Sequence, residues 1–183
     1  PDQLLDCNDC IFSGWYRVIN NAANAPFFGG AWLRVDMYDE KYGVQTWYRE
    51  AMTGTTHGVS AQRFLNRGVW QPWEYINPPM QLGVEYRTTE RYNGKPVYCR
   101  WIDLANLATH GTREYQLTPD SNPVEIAYWK VTSGDPDGNV FDVDCASWAS
   151  VRFKPTENKM TVTLDTTLTG AHWASALLKY TKT

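Results

Sequence analysis

Short segments in which apolar and polar residues alternate recur along this chain of 183 residues. In one of them Leu33, Val35 and Met37 lie on one face of an extended strand, while Arg34 and Asp36 lie on the other. Segments with a similar pattern follow at 124–131, 151–154, 160–164 and 176–181. Sustained helical periodicity is missing, and one or two helical turns are predicted only near 2–9 and 103–108. The pattern therefore predicts a mainly β protein.

Turn-forming residues separate the predicted strands. Asn93-Gly94 is the pair favoured in two-residue hairpins, and it would join a strand ending near Tyr92 to one starting near Lys95. Short strands with both faces patterned suit a sandwich or a barrel.

A domain junction is predicted at Asn77-Pro78-Pro79, because two prolines impose extended geometry and remove two backbone donors. The junction divides the chain into residues 1–77 and 78–183.

Bulk composition disfavours two classes of partner. The net charge is −3 and there is no run of Lys or Arg, so no nucleic-acid partner is expected. No stretch of apolar residues is long enough for a membrane span, so no membrane insertion is expected. Nine Trp and eleven Tyr can fill β cores or stack on sugars.

The four cysteines, Cys7, Cys10, Cys99 and Cys145, are expected to be free and mostly buried. Only the first two form a close pair, and the three histidines are scattered, so the spacing of a zinc site is missing. No metal and no cofactor is predicted.

An ordered set of motifs runs through the first part of the chain: the opening Ser13–Val18, Gln45 in a later strand, Arg63-Phe64, and the closing Gly68–Trp73. In this order the motifs resemble the pyocin-knob domain of phage tail fibres and tailocin fibres, over nearly all of residues 11–76. The resemblance implies a small knob-like β domain.

The segment Gly83–Tyr98 resembles a hairpin in the C-terminal domains of many phage tail proteins, and Leu177–Lys182 is similar to their closing strand. The resemblance implies an antiparallel β-sandwich tip that attaches a fibre to the bacterial surface. It further implies a homotrimer located in the virion tail. Its partners would be a bacterial glycan or surface protein, most simply a saccharide, and other virion tail proteins.

Aromatic and polar residues of the second part are the candidates for ligand binding, since an indole beside a cation on a half-polar face can form a sugar platform. Core packing is the competing role for each aromatic residue. The candidates are Trp129, Trp148, Arg152, Arg113, Tyr115 and Asp137.

The acidic segment 135–144, which contains Asp137, has the turn residues of an ordinary loop. It lacks the bidentate Glu of a calcium EF-hand, but its carboxylates can accept hydrogen bonds from sugar hydroxyls.

No catalytic centre is expected. The sequence has no nucleophile elbow, no recognisable Ser/His/Asp order and no local signature that pairs two carboxylates. The interpretation is therefore a receptor-binding module. Two alternatives stay open: a purely structural fibre segment or assembly adaptor, and a glycan depolymerase.

Overall fold

β-Strands form nearly all the regular structure in the computed structural model, which confirms the mainly β prediction. The structure describes residues 3–49, 58–103, 111–116, 125–134, 140–142, 149–154, 157, 159–164 and 173–182. The chain divides into two units: residues 1–79 with 86–89, and residues 80–85 with 90–183. The pyocin-knob and β-sandwich identities of the two predicted domains stay predictions.

The first unit is a single mixed sheet. Its strands are β1 Gln3–Asp6, β2 Gly14–Ala23, β3 Ala31–Met37, β4 Gly43–Arg49, β5 Ser60–Asn66, β6 Val69–Trp70 and β7 Glu74–Asn77. They lie in the order β1-β2-β3-β4-β5-β7, and β6 also pairs with β5. The pairing is antiparallel except for β1 with β2 and for β7 with Thr88 of β8, Glu85–Tyr92.

Alternate residues of these strands are buried on one face of the sheet. Leu33 and Val35 of β3, Trp47 of β4 and Ala61 of β5 are almost completely inaccessible to solvent. Burying a side chain such as Leu33 contributes roughly 1.5–3 kcal/mol to stability. The strand alternation read from the sequence is therefore what separates the core from the outer face.

The second unit contains two sheets. Besides Glu90–Tyr92 of β8, its strands are β9 Lys95–Asp103, β10 Gly111–Gln116, β11 Glu125–Gly134, β12 Val140–Asp142, β13 Ala149–Lys154, β14 Lys159–Leu164 and β15 Trp173–Thr181. One sheet has the order β9-β15-β11-β12 and the other β10-β14-β13, all antiparallel.

Strand β15 contacts the rest of the second unit through its side chains as well as through backbone pairing. Leu178 and Tyr180 are fully buried, and the Tyr180 hydroxyl donates a hydrogen bond to Glu85. Lys182 forms an ion pair with the same carboxylate, and Lys179 Nζ lies 2.6 Å from Glu90 Oε1. Glu85 and Glu90, the carboxylates of the Gly83–Tyr98 segment in these contacts, thus bind side chains of the C-terminal strand and the residue after it.

The predicted hairpin is confirmed. Asn93 and Gly94 both have positive φ, 49° and 76°, as a type I′ turn requires. The helical expectation near the N-terminus is wrong over Gln3–Asp6, which pairs with β2, and is met only by a single 3₁₀ turn at Cys7–Asp9. The other helical expectation lies mostly outside the described residues.

Candidate functional site

Large aromatic side chains lie exposed on the outer face of the first unit's sheet. This aromatic face consists of the outward side chains of β2 to β5: Trp15, Arg17, Trp32, Arg34, Asp36, Val44, Thr46, Tyr48, Ser60, Gln62 and Phe64. Trp15 is 58% exposed, Tyr48 40%, Phe64 38% and Trp32 37%. Four partly exposed aromatic side chains on one face of a sheet form an apolar patch of the kind that marks a binding surface.

Strand register brings these side chains into rows across the sheet. Trp32 lies directly across from Arg17 on one side and from Tyr48 on the other. The rings of Trp15 and Tyr48 stack, with centroids 5.9 Å apart and planes at 29°. The face therefore presents two indoles and a phenol as neighbouring apolar surfaces.

Polar groups lie among the rings of the aromatic face. Arg34 forms an ion pair with Asp36, with Nε 2.9 Å from Oδ2. Thr46 and Gln62 lie in the same row across the sheet as Trp15. In the register Trp15 is across from Arg34, Arg34 from Thr46, and Thr46 from Gln62. Flat aromatic surfaces beside hydroxyl, amide and guanidinium groups can stack on the C–H face of a sugar and hydrogen-bond to its hydroxyls.

A buried polar centre supports the aromatic face from behind. The Gln45 side chain is inaccessible, and its Nε2 donates to the backbone carbonyls of Cys7, at 2.8 Å, and Cys10, at 3.1 Å. Arg63 Nε donates to Gln45 Oε1 at 2.9 Å. The glutamine thus joins the 3₁₀ turn to the middle of the sheet.

The closing motif of the first unit encloses the Arg63 guanidinium. It lies 4.8 Å from the Trp70 ring centroid and 4.5 Å from that of Trp73, which is a cation–π arrangement on both. Burial lowers the pKa of Arg63 to about 10, so the group still carries its charge at neutral pH. Gln45, Arg63, Trp70 and Trp73, which belong to the motifs named above, are therefore structural here.

The described cysteines are buried free thiols, in agreement with the expectation for Cys7, Cys10 and Cys99. Burial raises the pKa of Cys7 to about 11, of Cys10 to about 12 and of Cys99 to about 11. Cys145 lies outside the described residues. A thiol with so high a pKa is a poor nucleophile at neutral pH.

The second unit has an open groove of about 470 Å³. It is lined by Leu82, Gly83, Arg100, Ile102, Asp103, Glu114, Tyr115 and Gln116. Its Glu114 is engaged by Lys159, with Nζ 3.2 Å from Oε2. The groove has a mixed polar lining and a single aromatic ring, so it offers less stacking surface than the aromatic face.

The sequence-predicted site residues are not all brought together. Tyr115 is half-buried and lines the groove, whereas Arg152 is exposed on β13 and lies across from Thr161 of β14. Arg113 lies in β10, and Trp129 lies in the other sheet, across from Leu178.

The remaining two candidates, Trp148 and Asp137, are outside the described residues, as is most of the acidic segment 135–144. Among the residues that are described, no group of acidic, His or Cys side chains could hold a metal ion. Nor does any helix in that part of the chain have the length and hydrophobicity to span a membrane.

Sequence reasoning missed the aromatic face, although a signal for it was present. Arg34 and Asp36 were assigned to the polar face of β3, and Trp32 precedes Arg34 by two residues. The same period places Trp32 on that outer face. The fact that Trp15 and Tyr48 share the face could not be read locally, because it depends on strand register.

Comparisons with known proteins give structural neighbours at low similarity. No family model and no curated protein matches the chain. A C-terminal fragment of the R1 pyocin fibre of P. aeruginosa has a TM-score of 0.34 and 12% identity, over 98% of this chain and 66% of that one. An N-truncated R2-type pyocin tail fibre gives 0.32 and 11%, over 99% and 97%.

A C-terminal fragment of the R2 pyocin fibre of P. aeruginosa gives a TM-score of 0.32 and 11% identity, over 99% of this chain and 66% of that one. The chain thus spans about two thirds of the first fragment's length, 66%.

Proposed function

We propose that the chain is a non-catalytic module of a phage or tailocin tail fibre, which attaches to a saccharide on the bacterial surface through the aromatic face. The observation that carries the proposal is the exposure of Trp15, Trp32 and Tyr48 on one face of the sheet. The tail-fibre setting is supported by the ordered motifs of the first unit and by the hairpin Gly83–Tyr98.

Stacking is the interaction that the aromatic face offers. A sugar ring that stacks on an exposed indole removes apolar surface from water. Each Å² of apolar surface buried in this way contributes about 25 cal/mol to binding. Because the strands fix the backbone of Trp15 and Trp32, little backbone order is lost when a ligand binds. A flat and open site of this kind binds a single sugar weakly.

Weak single sites become effective when several copies act together. Linked copies convert the second binding event into an intramolecular one, so their combined affinity exceeds that of one site by about 10²–10⁴-fold. The homotrimer implied by the sequence resemblance would supply this avidity. Other virion tail proteins would hold the copies at the fibre end.

Binding without hydrolysis is supported by the charges of the face. Retaining glycoside hydrolysis needs two carboxyl groups about 5–5.5 Å apart. Asp36 is the one exposed carboxylate among the aromatic-face residues defined above, and it is ion-paired with Arg34. The face thus has stacking surface without a pair of free carboxylates.

Adhesion to whole bacteria tests the proposal. The wild-type chain and a Trp15→Ala/Trp32→Ala variant are incubated with a panel of cells, and bound protein is measured by sedimentation. We expect binding to fall about tenfold or more, which is about 1.4 kcal/mol or more. Tyr92→Ala is the matched control, since Tyr92 is 36% exposed but lies outside the aromatic face.

Treatment of the cells identifies the receptor class. Periodate, which oxidises sugar diols, should abolish binding, and protease should leave it intact. Equal adhesion of the double variant and wild type would overturn the proposed site. Wild-type adhesion that resists periodate and is lost with protease would indicate a surface protein instead.

A further inference from the structure

One cation of the aromatic face is a neighbour of both exposed indoles in the sheet register. Arg17 follows Trp15 by two residues on β2, so both side chains project from the same face. The register places Trp32 of β3 directly across from Arg17. The Arg17 side chain is exposed, so a ligand lying on the indoles has access to its guanidinium.

The other charges near this face are already neutralised. Arg34 is paired with Asp36, and Arg87 Nη2 lies 2.8 Å from Oε1 of Glu74, which is across from Gln62 in the register. The Arg17 guanidinium makes no hydrogen bond or ion pair with any residue that the structure describes. Within the described part of the aromatic face, Arg17 thus leaves one uncompensated positive charge in a chain of net charge −3.

We infer that the ligand of the aromatic face is an acidic saccharide, whose carboxylate or phosphate group is bound by Arg17 while its sugar ring stacks on Trp15 or Trp32. This inference rests on the proposed function and names its substrate class. A guanidinium presents a planar fork of donors that matches both oxyanions. A sugar ring that covers the adjacent indoles displaces water around Arg17, which strengthens its attraction for an anion.

A single unpaired cation on the aromatic face also favours a sugar over a nucleic acid as the ligand. A protein that follows a polyphosphate backbone neutralises many phosphates with many Lys and Arg residues. Here a single free cation lies beside two indoles, on an acidic chain. This arrangement matches a ligand with an isolated negative charge next to an apolar ring face.

The test uses lipopolysaccharide and capsular polysaccharide from the bacteria to which the wild-type chain adheres. Each preparation is immobilised in native, carboxyl-reduced and dephosphorylated forms, and affinity is measured by biolayer interferometry. We expect one of the two treatments to weaken wild-type binding about tenfold. The treatment that does so identifies the anion as carboxylate or phosphate.

Variants connect the loss to Arg17. Arg17→Gln should bind the native glycan about tenfold more weakly and should no longer distinguish it from the treated form. Lys41→Gln is the control, because it removes one exposed charge from the turn after β3, outside the aromatic face. Wild-type binding should also weaken as salt rises from 0.05 to 0.5 M, since an exposed ion pair is screened within about 10 Å at 0.1 M.

Failure of this inference is distinguishable from failure of the proposed function. If Trp15→Ala loses binding while neither treatment nor Arg17→Gln has an effect, the ligand is a neutral saccharide and the inference is overturned. If the wild-type chain binds none of the glycans, both the inference and the proposed function are overturned.

Discussion

At the scale of single residues, the Gln45 side chain links three parts of the first unit. It is completely buried, donates to the backbone carbonyls of Cys7 and Cys10 and accepts from Arg63. A leucine of similar size would remove these three hydrogen bonds, and its apolar side chain could replace none of them.

Gln45→Leu should therefore lower the free energy of unfolding of the first unit by about 2–4 kcal/mol, as leaving buried polar groups without partners does. Urea unfolding followed by tryptophan fluorescence measures the change. Gln71→Leu is the matched control, because the Gln71 side chain donates one exposed bond to the Val69 carbonyl. A Gln45→Leu variant as stable as its control would show that the buried network contributes little.

The buried thiols should react slowly with a thiol reagent while the protein is folded. Because burial raises the pKa of Cys7 to about 11 and of Cys10 to about 12, only a very small fraction is thiolate at pH 8. In a Cys145→Ser variant, labelling by a disulfide reagent at pH 8 should be about 100-fold slower in the native state than in urea. Rapid native labelling at pH 8 would contradict the burial of these residues.

The same pKa shifts affect stability at high pH. A thiol whose folded pKa is raised favours the folded state only while the unfolded thiol stays protonated. Stability from Cys7 and Cys10 should thus be constant below about pH 8.5 and decrease from there toward pH 11–12. Urea midpoints at pH 8 and pH 10.5 would show the decrease.

At the scale of elements, the Asn93-Gly94 turn fixes the hairpin of β8 and β9. Gly94 has a φ of 76°, and a methyl group added to it would meet nothing within 4 Å. Gly94→Ala therefore isolates the backbone cost, about 1 kcal/mol of stability in the second unit. Thermal unfolding should show the loss, whereas Asn93→Gly, which also accepts positive φ, should change stability by less.

Sequence reasoning was most successful where the structure is local. The alternation of Leu33, Val35 and Met37 predicted β3, and Asn93-Gly94 predicted its hairpin, because each depends on a few neighbouring residues. It was wrong for Gln3–Asp6, which adds to β2 as a parallel strand. The partner strand β2 follows directly in the chain, after a connection that lets it run parallel to β1. A segment of four residues is too short to show a hydrophobic period that separates a strand from a helical turn.

The candidate site shows the same limit at longer range. Tyr115 and Arg152 were chosen from local patterns in the second part of the chain, and as ligand-binding residues they stay predictions. Trp15 and Tyr48 come from strands that are not adjacent in the sheet, yet their rings stack at 5.9 Å. Such a surface exists only once the sheet register is known.

At the scale of the whole molecule, the account predicts a multivalent fibre component. The purified chain should form a trimer in solution, with three times the 21.0 kDa mass of one chain. Light scattering coupled to size exclusion measures that mass directly. A monomer at the concentrations that support adhesion would contradict the trimer and would leave avidity to another part of the fibre.

A ¹⁵N nuclear magnetic resonance titration of the tryptophan indole signals with surface glycan would show directly which unit holds the saccharide site. The account predicts that the signals of Trp15 and Trp32 shift on binding, whereas that of buried Trp47 stays in place. Shifts of Trp129 and Trp148, with Trp15 and Trp32 unchanged, would contradict the account and place the receptor site in the second unit.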